Sequence, residues 1–218
     1  MTGVISAAID AGVNFFDLAL AEAAPFPAYG RAFAGRRDRV LTQMHFGAVY
    51  EDGKYGWTRD LKRIEAQFEE MLRLTGTDYT DFGFIHCVDE DDDLDAVMND
   101  GLWDYILKQK EAGRVRHLGF SSHDPHIARR GLGEVAERAA LYRDCERMGV
   151  GISVMKPFGG GQLLDAKTSP FGRALTHEQC IQYALDRPAV LTVLPGVRNM
   201  DELRGALAYL DAPAEARD

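Results

Sequence analysis

Asp17 closes the apolar run VNFFDL, Gln43 and His45 lie within VLTQMHF, and His86 closes FGFIH. Ser121 and Ser122 end HLGFSS with His123 directly after them, and Lys156 stands just before PFGGG. A carboxylate, an amide, imidazoles, hydroxyls and an amine are the groups that hold, donate and accept protons around a reacting centre. Each has an ordinary reading when taken alone: a turn-capping Asp, a satisfied core His, a flexible glycine loop. Burying such groups without a purpose costs a few kcal/mol apiece, on the order of 2 or more. Their recurrence at the same end of at least four apolar runs therefore points to one shared site. The run Gly159, Gly160, Gly161 would let a ligand's phosphates approach the backbone, as small residues at strand-to-helix turns do.

The elements that must position these groups alternate along the chain. Helical spacing over residues 4–11 ends at Gly12, and Val13 to Leu18 reads as a buried strand. A small-residue segment from Ala19 to Ala28 leads to a short helix near Tyr29 to Ala34, followed by a strand over Val40 to Phe46. Arg59 to Leu74 carries an amphipathic helical stripe with Thr58 as the expected N-cap, stopped by Gly76. Phe82 to Val88 is apolar throughout, as strands covered on both faces are, and Leu94 to Lys110 returns to helical spacing. Further strands are expected over His117 to Ser122, Ile152 to Phe158 and Val190 to Leu194, with helices over Glu134 to Met148, His177 to Leu185 and Leu203 to Leu210.

Strand-helix repeats with short connections specify an α/β fold with a parallel sheet and right-handed crossovers. In one domain over residues 1–218, the expected closure is a TIM-type barrel, and a doubly wound open sheet is the alternative. The count falls short of the roughly eight strands and 250 residues of such a barrel. One strand is missing before the first helix and another after residue 130, where Pro125 to Arg130 and Glu134 to Met148 are joined only through Gly131, Leu132 and Gly133. A parallel sheet cannot pass from helix to helix without skipping a strand, so chain is expected to be absent there. In a parallel barrel the strand C-termini gather the site, which is where the polar residues fall.

Composition excludes several classes. Lys and Arg number 25 against 34 Asp and Glu, a formal charge of −9, so nucleic acid and anionic membrane are not expected partners. The acidic run Asp89 to Asp93 with Asp95 and Asp100 reads as a solvated loop and helix N-terminus. Three dispersed cysteines, Cys87, Cys145 and Cys180, fit a reducing cytoplasm rather than a disulfide framework. No stretch approaches the roughly 18 apolar residues that cross a bilayer, and the start lacks the marks of a signal peptide.

FFDLA with AYGRAFAGRRDRVLTQ, then DFGFIHCVD, KEAGRVRHLGFSSH, GISVMKPFGGG and TVLPGVRNMDEL form an ordered set that resembles the aldo-keto reductase family over nearly the whole chain. The branch it most resembles carries a ferredoxin-like iron-sulphur tail after the barrel; an iron-sulphur cluster is expected only in such a tail, beyond Asp218. The resemblance implies an oxidoreductase that moves a hydride between a nicotinamide cofactor and a carbonyl or alcohol of a small molecule. Asp17 and Tyr29 match the family's Asp and its proton-donating Tyr, and His86 matches the histidine that orients the carbonyl. The family's lysine position holds Gln43, an uncharged amide, so proton donation is expected to be slower or differently arranged. Tyr29 follows Asp17 by 12 residues, more than the family's usual interval. His45 is near enough to substitute for the lysine, although substrate contact is its expected role.

For the cofactor, the resemblance assigns Ser121 and Ser122 to the nicotinamide amide and Met155 to the ring. It assigns Lys156, Pro157, Phe158, Gly159, Gly160 and Gly161 to the pyrophosphate loop, and Gly196, Val197, Arg198 and Asn199 to the adenosine phosphate. NADPH or NADH is expected, NADPH slightly preferred, with Arg198 the obvious group to grip a 2′-phosphate. The missing wall segment is expected to weaken cofactor binding and to leave apolar surface exposed or covered by a partner chain, and an oligomer is a possible state. The alternatives are a catalytically impaired or truncated relative of the same barrel and, behind it, a metal-dependent hydrolase. The hydrolase would use His86, His123, His126, Asp17 or Asp124 as ligands; otherwise no metal is expected.

Overall fold

The computed structural model describes residues 1–19, 25–52, 54–130 and 138–217. The chain divides into two compact units, Met1–Glu137 and Arg138–Asp218. The first contains α1 (Thr2–Asp10), β1 (Phe15–Leu18), α2 (Phe26–Phe33), β2 (Leu41–Phe46), β3 (Ala48–Glu51), β4 (Lys54–Trp57), α3 (Leu61–Thr75), β5 (Thr80–Ile85), α4 (Asp91–Asn99), α5 (Leu102–Glu111), β6 (Val115–Phe120) and α6 (Pro125–Arg130). The second contains α7 (Arg138–Met148), β7 (Ile152–Met155), a 3-10 segment (Gly159–Leu164), α8 (His177–Leu185), β8 (Val190–Leu194) and α9 (Met200–Asp211).

The alternation expected from the sequence is present: β1, β2, β5 and β6 form a parallel sheet in that order, and β7 pairs with β8 in parallel. Among the described residues no strand precedes α1. The second expected gap, between Arg130 and Glu134, and the start of the helix expected from Glu134 lie outside the described residues, as does the stretch 20–24.

Three details differ from expectation. The helix after Thr58 begins later, because Asp60 caps it by accepting from the Arg63 N–H at 3.1 Å, while the Thr58 hydroxyl accepts from the Asp60 N–H at 3.1 Å. The single helix expected over Leu94 to Lys110 is two, α4 and α5, parted at Gly101, which turns the chain with φ of 83°. Asp91, Asp92 and Asp93 occupy the first turn of α4, where negative charge meets the positive helix end. The third difference is an antiparallel hairpin, β3–β4, inserted between β2 and α3. Its neck is pinched shut: the Thr58 N–H donates to the Gly47 carbonyl at 2.8 Å. A Cβ on Gly47 would lie 2.6 Å from the Thr58 carbonyl oxygen, so only glycine passes here.

The sheet's helix-facing side is filled by one cluster including Leu18, Phe26, Met44, Phe46, Ile64, Phe68, Ile85, Leu102, Ile106 and Val115. Each such buried side chain contributes about 1.5–3 kcal/mol. Beside it, Ile5, Ile9, Ala28, Ala32, Phe33 and Val40 pack α1 and α2 together. Register fixes the rest: Asp17 pairs with Gln43, Gln43 with Phe82, and Phe82 with His117, a row across four strands, and His45 with Phe84 and Gly119 forms the next.

Candidate active site

The residues expected at the site in the first unit converge. Asp17 on β1, Gln43 and His45 on β2 and His86 just beyond β5 lie at or near the C-terminal ends of their strands. Gln43, His45 and His86 are each no more than 3% exposed. Parallel register brings them to one face, since Asp17 pairs with Gln43, His45 lies two residues beyond Gln43 and pairs with Phe84, and His86 lies two residues beyond Phe84.

Their contacts form a line. The Gln43 amide nitrogen is 3.0 Å from His45 Nε2, and His45 Nδ1 is 2.9 Å from His86 Nδ1. His86 Nε2 is bonded to the hydroxyl of Tyr55, a residue of β4, whose ring meets the imidazole edge-on at 90°. Asp17 Oδ1 lies 3.1 Å from His45 Nε2 but off the direction of a hydrogen bond, and this buried oxygen has no hydrogen-bond partner among the described residues. Burial, then the neighbouring His45 and Arg59, push His86 down to about 4. Burial, then Cys87 and Asp17, push the Tyr55 hydroxyl up to about 12.

Arg59 holds the strand end that presents His86, donating to the His86 carbonyl at 2.9 Å, the Cys87 carbonyl at 2.7 Å and Asp93 at 3.0 Å. Ser121 also serves this corner: its hydroxyl accepts from the Cys87 N–H at 2.9 Å, while the Ser122 hydroxyl donates to the Asp124 carbonyl at 3.0 Å. Cys87 itself sits at φ of 48°, an uncommon conformation for a side-chain-bearing residue, fixed by these bonds.

Tyr29 occupies a different setting. Its ring packs against Phe16 and Phe33 at centroid distances of 6.5 and 5.7 Å, and burial followed by the Asp17 charge raises its pKa. Two tyrosines thus feel Asp17, and Tyr55 is the one bonded to His86. Sequence reasoning passed over Tyr55. The available signal was the Asp52-Gly53 pair flanked by alternating residues, a hairpin mark that would have carried Tyr55 back toward β2.

The ligand set named for a metal hydrolase is not assembled: Asp17 faces His45, and exposed His123 pairs with Asp89 at 2.9 Å. Among the described residues, the ligand types that gather are Cys87, Asp89 and His123, with Asp89 and His123 already satisfying each other.

In the second unit, Met155 ends β7 and the loop Lys156 to Gly161 follows it. Gly159, Gly160 and Gly161 have φ of 56°, 68° and 95°, and a Cβ on Gly160 or Gly161 would meet nothing within 4 Å. Backbone open on this side fits the close approach of a dinucleotide phosphate. Phe158 is set by an edge contact with His177, centroids 4.9 Å apart. After β8, Gly196 to Arg198 lead to Asn199, which caps α9 by accepting from the Asp201 and Glu202 N–H groups. Arg198 is engaged with Glu202, Nη2 to Oε1 at 2.9 Å.

Comparison with known proteins accords with this arrangement. L-glyceraldehyde 3-phosphate reductase of Escherichia coli (strain K12) is 25% identical over 130 residues, covering 56% of this chain and 36% of that protein. The uncharacterized oxidoreductase YqkF of Bacillus subtilis (strain 168) is 25% identical over 128 residues, covering 57% and 40%. These matches thus span well under half the length of either relative. Among solved structures, the holo form of aldo-keto reductase AKR11C1 from Bacillus halodurans superposes with a TM-score of 0.78 at 22% identity, covering 99% of this chain and 84% of that one. Its fold is therefore the fold of this chain. Residues 2–179 match the aldo/keto reductase family, and the chain belongs to that family.

Proposed function

We propose that the protein transfers a hydride between a nicotinamide dinucleotide and the carbonyl carbon of a small molecule. The observation that carries this reading is the buried assembly of Asp17, Gln43, His45 and His86 at strand C-termini in a chain of this family. Asp17 and His86 are the groups proposed to meet the substrate end, with a tyrosine supplying the proton. Tyr29 is the candidate by resemblance. In the first unit Ser121 and Ser122 are the proposed nicotinamide contacts. In the second unit Met155, the loop Lys156, Pro157, Phe158, Gly159, Gly160 and Gly161, and the loop Gly196, Val197, Arg198 and Asn199 are the proposed contacts to ring and phosphates. The cofactor supplies the hydride. NADPH keeps its slight preference only if a 2′-phosphate draws Arg198 from Glu202.

The observation favouring a second reading, a relative with impaired turnover, is Gln43 where the family has lysine. Titration with NADPH and NADH followed by cofactor fluorescence, then cofactor consumption against small aldehydes and ketones, separates the two. Binding with turnover supports the reductase; binding without turnover, or no binding at high cofactor concentration, overturns it in favour of the impaired or truncated relative. We place the protein in the cytoplasm, a reading supported by its three buried cysteines, which form no disulfide among the described residues.

A further inference from the structure

The line from Gln43 to Tyr55 has a direction. An amide nitrogen only donates, so His45 Nε2, at 3.0 Å, must accept from Gln43. The neutral His45 ring then carries its proton on Nδ1 and donates to His86 Nδ1 at 2.9 Å. His86 in turn carries its proton on Nε2, which donates to the Tyr55 hydroxyl oxygen and also faces Cys87 Sγ at 3.2 Å. Asp17 does not reverse this order, because its Oδ1 stands off the hydrogen-bond direction of His45. A hydroxyl whose oxygen already accepts keeps its own proton free for another partner. Tyr55 is 53% exposed, so that partner can reach it, whereas Tyr29 packs against Phe16 and Phe33.

We propose that Tyr55, rather than Tyr29, donates the proton in the carbonyl reduction set out above. In the same proposal Gln43 is a positioning residue that does the work of the family's lysine by fixing the proton order of His45 and His86. The inference rests on that functional reading. In the step, the carbonyl carbon takes a hydride, which a nicotinamide would supply when bound, and the C=O π electrons move to oxygen. The Tyr55 O–H bond breaks, its proton goes to that oxygen to give the alcohol, and the electron pair stays on Tyr55, where the His86 Nε2–H bond stabilises it. Solvent then returns a proton to Tyr55. The carbonyl is reduced by two electrons and the dihydronicotinamide is oxidised by two.

Nitrogen-15 NMR of the histidine rings in cofactor-free protein tests the proton order directly. The expected result is a proton on Nε2 of His86 and on Nδ1 of His45, with both reversed in Gln43→Leu. A wild-type His86 protonated on Nδ1 would overturn the proposal. In turnover, Tyr55→Phe is expected to lower kcat on the order of 100-fold or more, with KM and the cofactor fluorescence titration changed only a few-fold. Tyr29→Phe is expected to lower kcat less than tenfold; the opposite ranking would overturn the assignment. Failure of the wild type to bind either cofactor would instead defeat the functional reading, and the histidine spectrum, which needs no cofactor, tells the two failures apart.

Discussion

His86 holds two properties that bear on each other: it is buried, and it is neutral across the ordinary pH range, its pKa brought down to about 4 by burial, then His45 and Arg59. Between about pH 6.5, where an unperturbed imidazole titrates, and about 4, the unfolded chain binds a proton at this residue that the folded chain does not. Stability is therefore fully present above the unfolded value and is lost as pH falls through this window. Denaturant titrations from pH 7 to 4 should show less acid destabilisation in His86→Asn than in the wild type; equal slopes would contradict the buried neutral imidazole. Tyr55, held up to about 12 by burial first, stays protonated until a stronger base, the alkoxide, forms beside it. At this scale Asp17, Gln43, His45 and His86 were legible in the sequence because each is a polar residue within or at the end of an apolar run. Tyr55 was not, because its partner lies 31 residues away and only the hairpin brings them together.

At the scale of elements, the parallel strands depend on a buried charge network at their helix-side entrance. Asp81, 2% exposed at its side chain, takes Arg37 at 2.9 Å and Arg116 at 2.8 Å, and accepts from the Thr42 N–H at 3.0 Å. Removing its carboxylate leaves Arg37 and a buried backbone N–H without that acceptor. Asp81→Ala is expected to cost about 3 kcal/mol in chemical denaturation; a loss under about 1 kcal/mol, the range of a surface pair, would contradict the network's importance. The cap of α3 gives a smaller test: Asp60→Ala should cost about 1 kcal/mol, and Thr58→Ala distinctly less. The six parallel strands were readable from apolar runs of strand length, and most helices from their 3.6-residue stripe. The division of α4 from α5 was missed because the apolar spacing continues across Gly101, and the cap was misplaced because Thr58 and Asp60 are both good capping types. Only the side chain that reaches the N3 amide decides between them.

At the scale of the whole molecule, the chain divides into two compact units; the proposed proton-handling groups lie in the first and the proposed phosphate loops in the second. The pairing of Arg198 with Glu202 bears on the proposed cofactor choice: a 2′-phosphate there would compete with a carboxylate whose Oε1 already accepts from both Nε and Nη2 of the guanidinium, at 3.1 and 2.9 Å. Glu202→Gln should tighten NADPH relative to NADH by severalfold in parallel fluorescence titrations, and an unchanged ratio would remove Arg198 from the phosphate site. The ordered motifs made the family readable from the sequence. The competition at Arg198 was not, since Glu202 becomes its neighbour only once α9 is wound. The most direct test of the whole account is isotopic: incubate the protein with a small aldehyde and nicotinamide cofactor deuterated at C4, and analyse the alcohol by mass spectrometry. The account predicts one deuterium on the former carbonyl carbon; alcohol without deuterium in assays with either C4 epimer, or no alcohol at all, would contradict it.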